Sequence, residues 1–203
     1  MTSFNASSID KNRAVILGST SVYRRELLNR LRIPFDVQAP DVDETPLSGE
    51  SPLKLAQRLA LAKAHAVAQK SSESVVIGSD QVADLDGLAL GKPGNFERAT
   101  TQLRKMRGKT VVFHTAVAVV CQTTGFVAQD CASVSVVFRD LTDDEITAYL
   151  LAETPYDCAG SAKSEGLGIT LLSSINSDDP TALVGLPLIR TCNMLRSAGV
   201  KLL

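Results

Sequence analysis

The stretch AVILGS at residues 14–19 is a short, continuous apolar run that ends at a glycine. A strand with one face in water alternates apolar and polar residues. A continuous run marks a strand buried on both faces, which obliges the chain to supply covering helices. The next residues supply one: within STSVYRRELLNRLR, Ser and Thr can cap a helix, and Val22, Leu27, Leu28 and Leu31 keep helical spacing. IPFDVQAP predicts a second strand and DVDETPLSGE a polar loop. Ser51-Pro52 is a helix start with proline at the first helical position, and that helix runs to about Lys70. VVIGS then repeats the buried-strand pattern, ending at Gly78 with Asp80 just past the strand, and a loop follows.

The second half adds a helix over about 95–107 and two long strands, VVFHTAVAVV and FVAQDCASVSVVF, on either side of CQTTG, best paired antiparallel. LTDDE gives a capping box, with Thr142 as cap, Glu145 three residues on, and Leu141 and Ile146 placed as a staple, for a helix ending near Pro155. DCAGSAKSEGLGITLL is a glycine-punctuated loop running into a strand. DPTALVGLPLIRTCNMLRSAG is a last helical segment broken early by Gly185 and Pro187. The expected fold is α/β, a mixed sheet flanked by helices, as a single domain over 14–203 behind a flexible polar tail over 1–13.

Composition bears on partners. A net charge of −1 and a pI near 6.1 advertise neither a nucleic-acid nor a membrane surface, so any anion-binding cations must form a local cluster. No apolar run approaches the ~20 residues of a membrane span. The cysteines at 121, 131, 158 and 192 show no CxxC spacing, and with His65 and His114 the only histidines, a structural zinc site is not expected. Without a signal-type apolar region at the N-terminus, the thiols read as reduced and the location as cytoplasmic. His114 and the cysteines read as structural residues, and Asp179 as a cap for the last helix.

Four features could carry chemistry. Asp80 either caps a turn or sits where α/β sheets bind ligands, at the carboxyl end of a strand. GSTSVYRRELL runs from a strand into a helix start, where free N–H groups can cradle phosphate; Arg24 and Arg25 in the first turn oppose the helix dipole unless an anion lies between. Lys63 falls on the apolar stripe of its helix with Ala56, Leu59, Ala60 and Val67, either snorkelling or reaching toward phosphate. One of Asp41, Asp43 and Glu44 converging with Asp80 would make a two-carboxylate magnesium site completed by water and substrate phosphates. Together they describe metal-dependent phosphate chemistry.

STSVYRRELL, VDE, the LALAKA helix, IGSDQV, LGKP, ETPYDCAGSAKSEGLG and DPTALVGLPL, in this order, resemble the Maf family of nucleotide pyrophosphatases over about residues 14–197. The resemblance implies an elongated mixed-sheet fold similar to the inosine-triphosphatase group. It also implies cleavage of a nucleoside triphosphate between the α and β phosphates with a divalent cation: magnesium, manganese or cobalt. Carried over, Asp80 is the proton acceptor for water, Glu44 holds the metal with it, and Ser19, Arg24, Lys63 and Lys92 bind the phosphates. Tyr23, Gln81 and Glu165 look like the branch acting on 7-methyl-GTP rather than the sister branch acting on dTTP and UTP. A tyrosine face can stack on the cationic methylated guanine, and a carboxylate can accept from its N–H groups. A tryptophan is more usual at the Tyr23 position, and this chain has none. Similar proteins are often homodimers and have been linked to cell-division control, so a nucleotide-binding regulator without turnover is the contrasting expectation.

Overall fold

The computed structural model describes residues 13–203. Seven strands form one mixed sheet in the order β2-β1-β3-β5-β6-β7, with β4 paired to β3. They are β1 (Val15–Gly18), β2 (Asp36–Val37), β3 (Val75–Leu85), β4 (Leu88–Leu90), β5 (Thr110–Cys121), β6 (Phe126–Phe138) and β7 (Leu172–Asn176). The helices are α1 (Val22–Asn29), α2 (Pro52–Ala68), α3 (Phe96–Met106), α4 (Asp143–Glu153) and α5 (Leu188–Ser197). Strands β2, β1 and β3 run parallel; every other pairing is antiparallel. The expected α/β mixed sheet flanked by helices is therefore present. No described helix is long and apolar enough to cross a membrane.

One face of the sheet is covered by α2, whose Leu55, Leu59 and Val67 pack on Val76, Val82 and Ala118. The opposite face carries two clusters. Leu27 and Leu28 of α1 and Leu195 of α5 lie over Ile77 and Val119. Leu103 of α3 and Ile146 and Leu150 of α4 lie over Phe113 and Val134. Local signals set the helix starts. Ser51 Oγ accepts from Lys54 N ahead of Pro52, and the Thr142–Glu145 capping box is complete. Leu141 and Ile146, its staple, are both buried in one cluster.

The structure corrects the sequence reading at several points. IPFDVQAP forms a strand of only two residues, Asp36 and Val37, pairing with Ile16 and Leu17; Pro34 and Pro40 lack the N–H groups that would extend it. Residues 1–12 of the expected tail lie outside the described residues. Arg13, counted with that tail, is tied to Glu73, its guanidinium 2.8 Å from the carbonyl and 3.1 Å from the carboxylate. The largest correction concerns β3, which does not end at Gly78 but runs on to Leu85, placing Asp80 within the strand. β5 pairs with it from Val76 to Asp84, and Asp86-Gly87, with φ of 55° and 85°, turns it tightly into β4.

Gly78 is a contact point rather than a stop. A Cβ there would lie 2.3 Å from Ala60 O and 2.5 Å from Ala64 N, so α2 rests directly on the strand. Gly78→Ala should therefore cost about 3 kcal/mol in urea unfolding, through forced displacement of a helix backbone. Gly18→Ala, where the nearest atoms would be 3.3 Å away, should cost only about 1 kcal/mol. Equal costs would show that α2 can lift off β3 freely.

Candidate active site

Strand β1 leaves β3 at Gly18, which pairs with Gly78, and β4 joins β3 only from Ala83 onward. Between these points, over Ser79–Val82, β3 has a partner on the β5 side alone. A cavity of ≈ 600 Å³ occupies this break in the sheet. It opens outside the carboxyl end of β1, the position at which α/β sheets bind ligands. Because side chains alternate along a strand, Asp80 points to the α2 face and Gln81 to the other, so the cavity is furnished from both.

On the α2 face, the helical period that puts Lys63 among apolar neighbours leaves it 5% exposed, beside Asp80 at 7%. Lys63 Nζ lies 2.6 Å from Asp80 Oδ1 and 2.6 Å from Glu44 Oε1. Of the three candidate loop acids, Glu44 is the one that reaches the cavity. Asp43 instead turns back to accept from Thr45 N at 2.9 Å, and Asp41 does not line the cavity. Arg24 enters from α1, donating from Nε to Gly185 O at 2.8 Å and from a terminal nitrogen to Ser19 Oγ at 3.4 Å. Lys92, past β4 on the turn to Pro93, completes the wall with Ser19.

Burial drives the Asp80 carboxyl above its ordinary range, against the opposing pull of Lys63 and Arg24. Burial also acts upward on Glu44, but Lys63, Lys92 and Arg24 outweigh it and hold Glu44 below the usual value. Burial lowers Arg24, with Asp80 and Glu44 opposing. The two carboxylates thus meet at one cationic point with unlike proton affinities. Among the described residues no group of three or more His, Cys, Asp or Glu side chains could hold a metal. What is present fits a hard divalent cation held by Asp80 and Glu44, with water and phosphate oxygens filling its remaining positions.

The other flank carries Tyr23, Gln81 and Glu165. Burial pushes the Tyr23 phenol upward, with the Cys158 thiol and Asp157 adding to it. Burial raises the Glu165 carboxyl, with Lys163 opposing. The Lys163 ammonium sits 5.7 Å from the centre of the Tyr23 ring, within cation–π range, while paired to Glu153 at 2.7 Å. Glu165, Leu183 and Val184 also line a second, smaller cavity of ≈ 330 Å³.

Ser19, Tyr23, Arg24, Glu44, Lys63, Asp80, Gln81, Lys92 and Glu165, the residues given roles by the family resemblance, therefore line one cavity, whereas Arg25, Asp41 and Asp43 do not. Others join them. Cys158, read as structural, lies on the wall, but burial pushes its thiol up to about 12, which leaves it un-ionised and a poor nucleophile at neutral pH. Lys163 stood within the KSEG stretch without drawing notice, and the turn at 182–185 gave no side-chain signal, because it acts through its carbonyls. Asp179 lies off the cavity, fully buried, accepting from Arg190 N at 3.1 Å in the first turn of α5. His114 is held by Ser133 at 2.9 Å and Asp84 at 3.3 Å, also away from the cavity.

A family model described as Maf-like protein matches residues 14–198. The chain is similar to a 7-methyl-GTP pyrophosphatase of Polaromonas sp. (strain JS666 / ATCC BAA-500), with 70% identity over 94% of this chain and 87% of the relative. It is 69% identical to a protein of the same description from Albidiferax ferrireducens, over 94% of this chain and 96% of that one. A third, from Cupriavidus pinatubonensis, is 58% identical over 91% and 93%.

Lys63→Met keeps the apolar stem and removes the ammonium that lowers both carboxyls. In a carbon-13 NMR titration of the metal-free protein, Asp80 should then titrate at still higher pH, and Glu44 should rise toward the usual range. Unchanged titrations would mean that Lys63 does not set the charge of this cluster.

Proposed function

The chain belongs to the Maf family and is a nucleotide pyrophosphatase; we propose that its substrate is 7-methyl-GTP, hydrolysed to 7-methyl-GMP and diphosphate. The observation that carries this reading is the meeting, in one cavity, of a buried carboxylate with Arg24, Lys63 and Lys92, beside an aromatic ring that already hosts an ammonium.

Asp80 takes the proton of the water that attacks the α-phosphorus. The bond from that phosphorus to the bridging oxygen breaks, and diphosphate leaves with the electron pair. A carboxylate raised by burial is a stronger base than a solvated one, and Lys63 and Arg24 beside it favour its charged form. Ser19, Arg24, Lys63 and Lys92 hold the triphosphate, whose charge offers Lys63 an anionic partner other than the two carboxylates. A divalent cation, magnesium, manganese or cobalt, bound by Glu44 and Asp80 would neutralise charge building on the phosphate oxygens. Tyr23 stacks against the positively charged methylated guanine, and Glu165 accepts from its ring N–H and amine. The raised proton affinity of Glu165 belongs to a carboxylate partly withdrawn from water, where a charge-assisted hydrogen bond is strong.

Purified protein with magnesium, assayed for diphosphate release, should prefer 7-methyl-GTP over GTP, dTTP and UTP; preference for dTTP or UTP would give it the sister specificity. Nucleotide binding without diphosphate release would make it a regulator. Asp80→Asn should lower kcat by roughly 10²–10⁴-fold. In the metal-free protein the Asp80 carboxyl should titrate above the ordinary aspartate range, and titration at or below that range would remove the dehydration that makes it a strong base. Glu165→Gln should narrow the preference for 7-methyl-GTP, and an unchanged preference would mean that Glu165 does not read the base.

A further inference from the structure

Helix α4 ends on Glu153, although the negative end of a helix dipole disfavours an acid in the last turn. Its partners account for the placement. Lys163 Nζ donates to Glu153 Oε1 at 2.7 Å, and Leu167 N donates to Oε2 at 2.7 Å. The two oxygens of one carboxylate therefore hold both ends of the turn 163–167, with Glu165 at its middle. The contact is close, since a Cβ at Gly166 would lie 2.7 Å from Oε2. The Glu153 side chain is only 15% exposed, and its bonds to Lys163 and Leu167 hold the carboxyl below the usual range.

Tyr149, one turn earlier on α4, secures the same segment. Its hydroxyl donates to Ser161 O at 3.0 Å and accepts from Lys163 N at 3.1 Å. Tyr149 is itself buried in the cluster with Ile146 and Phe113, so α4 is a fixed frame for the turn. Neither Glu153 nor Tyr149 lines the cavity. Among the described residues the Lys163 ammonium, 5.7 Å from the centre of the Tyr23 ring, pairs with Glu153 and not with Glu165.

We propose that Glu153 is a positioning residue for the nucleotide base: by tying both ends of the 163–167 turn to α4 and engaging the Lys163 ammonium, it sets the Glu165 carboxylate, unpaired, on the Tyr23 flank of the cavity. This rests on the reading of Glu165 as the group that accepts from the guanine. A mobile turn would spread Glu165 over many positions, and each binding event would have to immobilise it. A released Lys163 would compete with the guanine for the Glu165 carboxylate. It would also set a second positive charge near a base that already carries one.

The test uses Glu153→Gln, which keeps the size of the side chain and loses its charge, in the full-length protein with magnesium. KM and kcat for 7-methyl-GTP are measured beside the inhibition constant of diphosphate, which occupies the phosphate side and has no base. Glu153→Gln should raise KM by about tenfold, the scale of one hydrogen bond to a charged group, and leave kcat and diphosphate inhibition unchanged. An unchanged KM overturns the proposal, as does a KM that rises together with the diphosphate constant, the mark of a loosened fold. In a Glu165→Gln background the same substitution should add little, because residues acting as one unit are not additive. An undiminished effect there also overturns the proposal. Should Glu153→Gln fail to fold, Gly166→Ala, whose Cβ displaces the carboxylate from the turn, gives the same readout with the same outcomes. A wild-type KM in Glu165→Gln alone would instead overturn the reading of Glu165, and this proposal with it.

Discussion

Between Gly78 and Ala83, strand β3 has a neighbour on one side only. Everything in the cavity depends on that break. A continuous sheet would bury Asp80 under α2 and Gln81 under the opposite layer, and no ligand could reach both. With β1 ended and β4 not yet begun, side chains from the two faces open into the same space. The break needs β3 to continue without support on that side, and the twelve-residue strand β5 provides the support on the other. The helix above must also sit close enough for Lys63 to meet Asp80. Gly78 allows this, since only a residue without a side chain admits the backbone of Ala60 and Ala64 at that distance.

The charge arrangement follows from the same packing. An ammonium 5% exposed would be costly alone, but two carboxylate oxygens at 2.6 Å compensate it. Buried pairs of this kind add little net stability, while removal of one partner strands the other, at about 3–5 kcal/mol. The cluster is better understood as machinery than as glue. It holds a carboxylate dehydrated and basic while neighbouring cations favour its charged form, a combination that solvated groups cannot provide.

The sequence showed the layers of this fold more readily than its joints. Continuous apolar runs marked β1 and the start of β3, and helical period placed Lys63 on the inward stripe. Those signals are local and survive folding. Glycine is ambiguous, because it serves both where chains turn and where backbones touch. Gly78 does the second, so a reading that ends the strand there puts Asp80 on a loop. Asp86-Gly87 carries a hairpin signal of its own, easily passed over when the preceding strand is taken to have ended. Three loop acids were indistinguishable by composition, and tertiary contacts single out Glu44. The 182–185 turn was least legible, since its carbonyls are common to every residue type.

The walls of the cavity differ in stiffness. Asp80 and Gln81 belong to a strand laddered to β5 along its length, whereas Glu44 is exposed on a long connection between β2 and α2. A group already fixed by its own backbone loses little freedom when a ligand arrives, while a loop side chain must be immobilised. The entropic toll of occupancy therefore falls on the 38–51 connection, and the proton-accepting side of the cavity is pre-organised whether or not anything is bound.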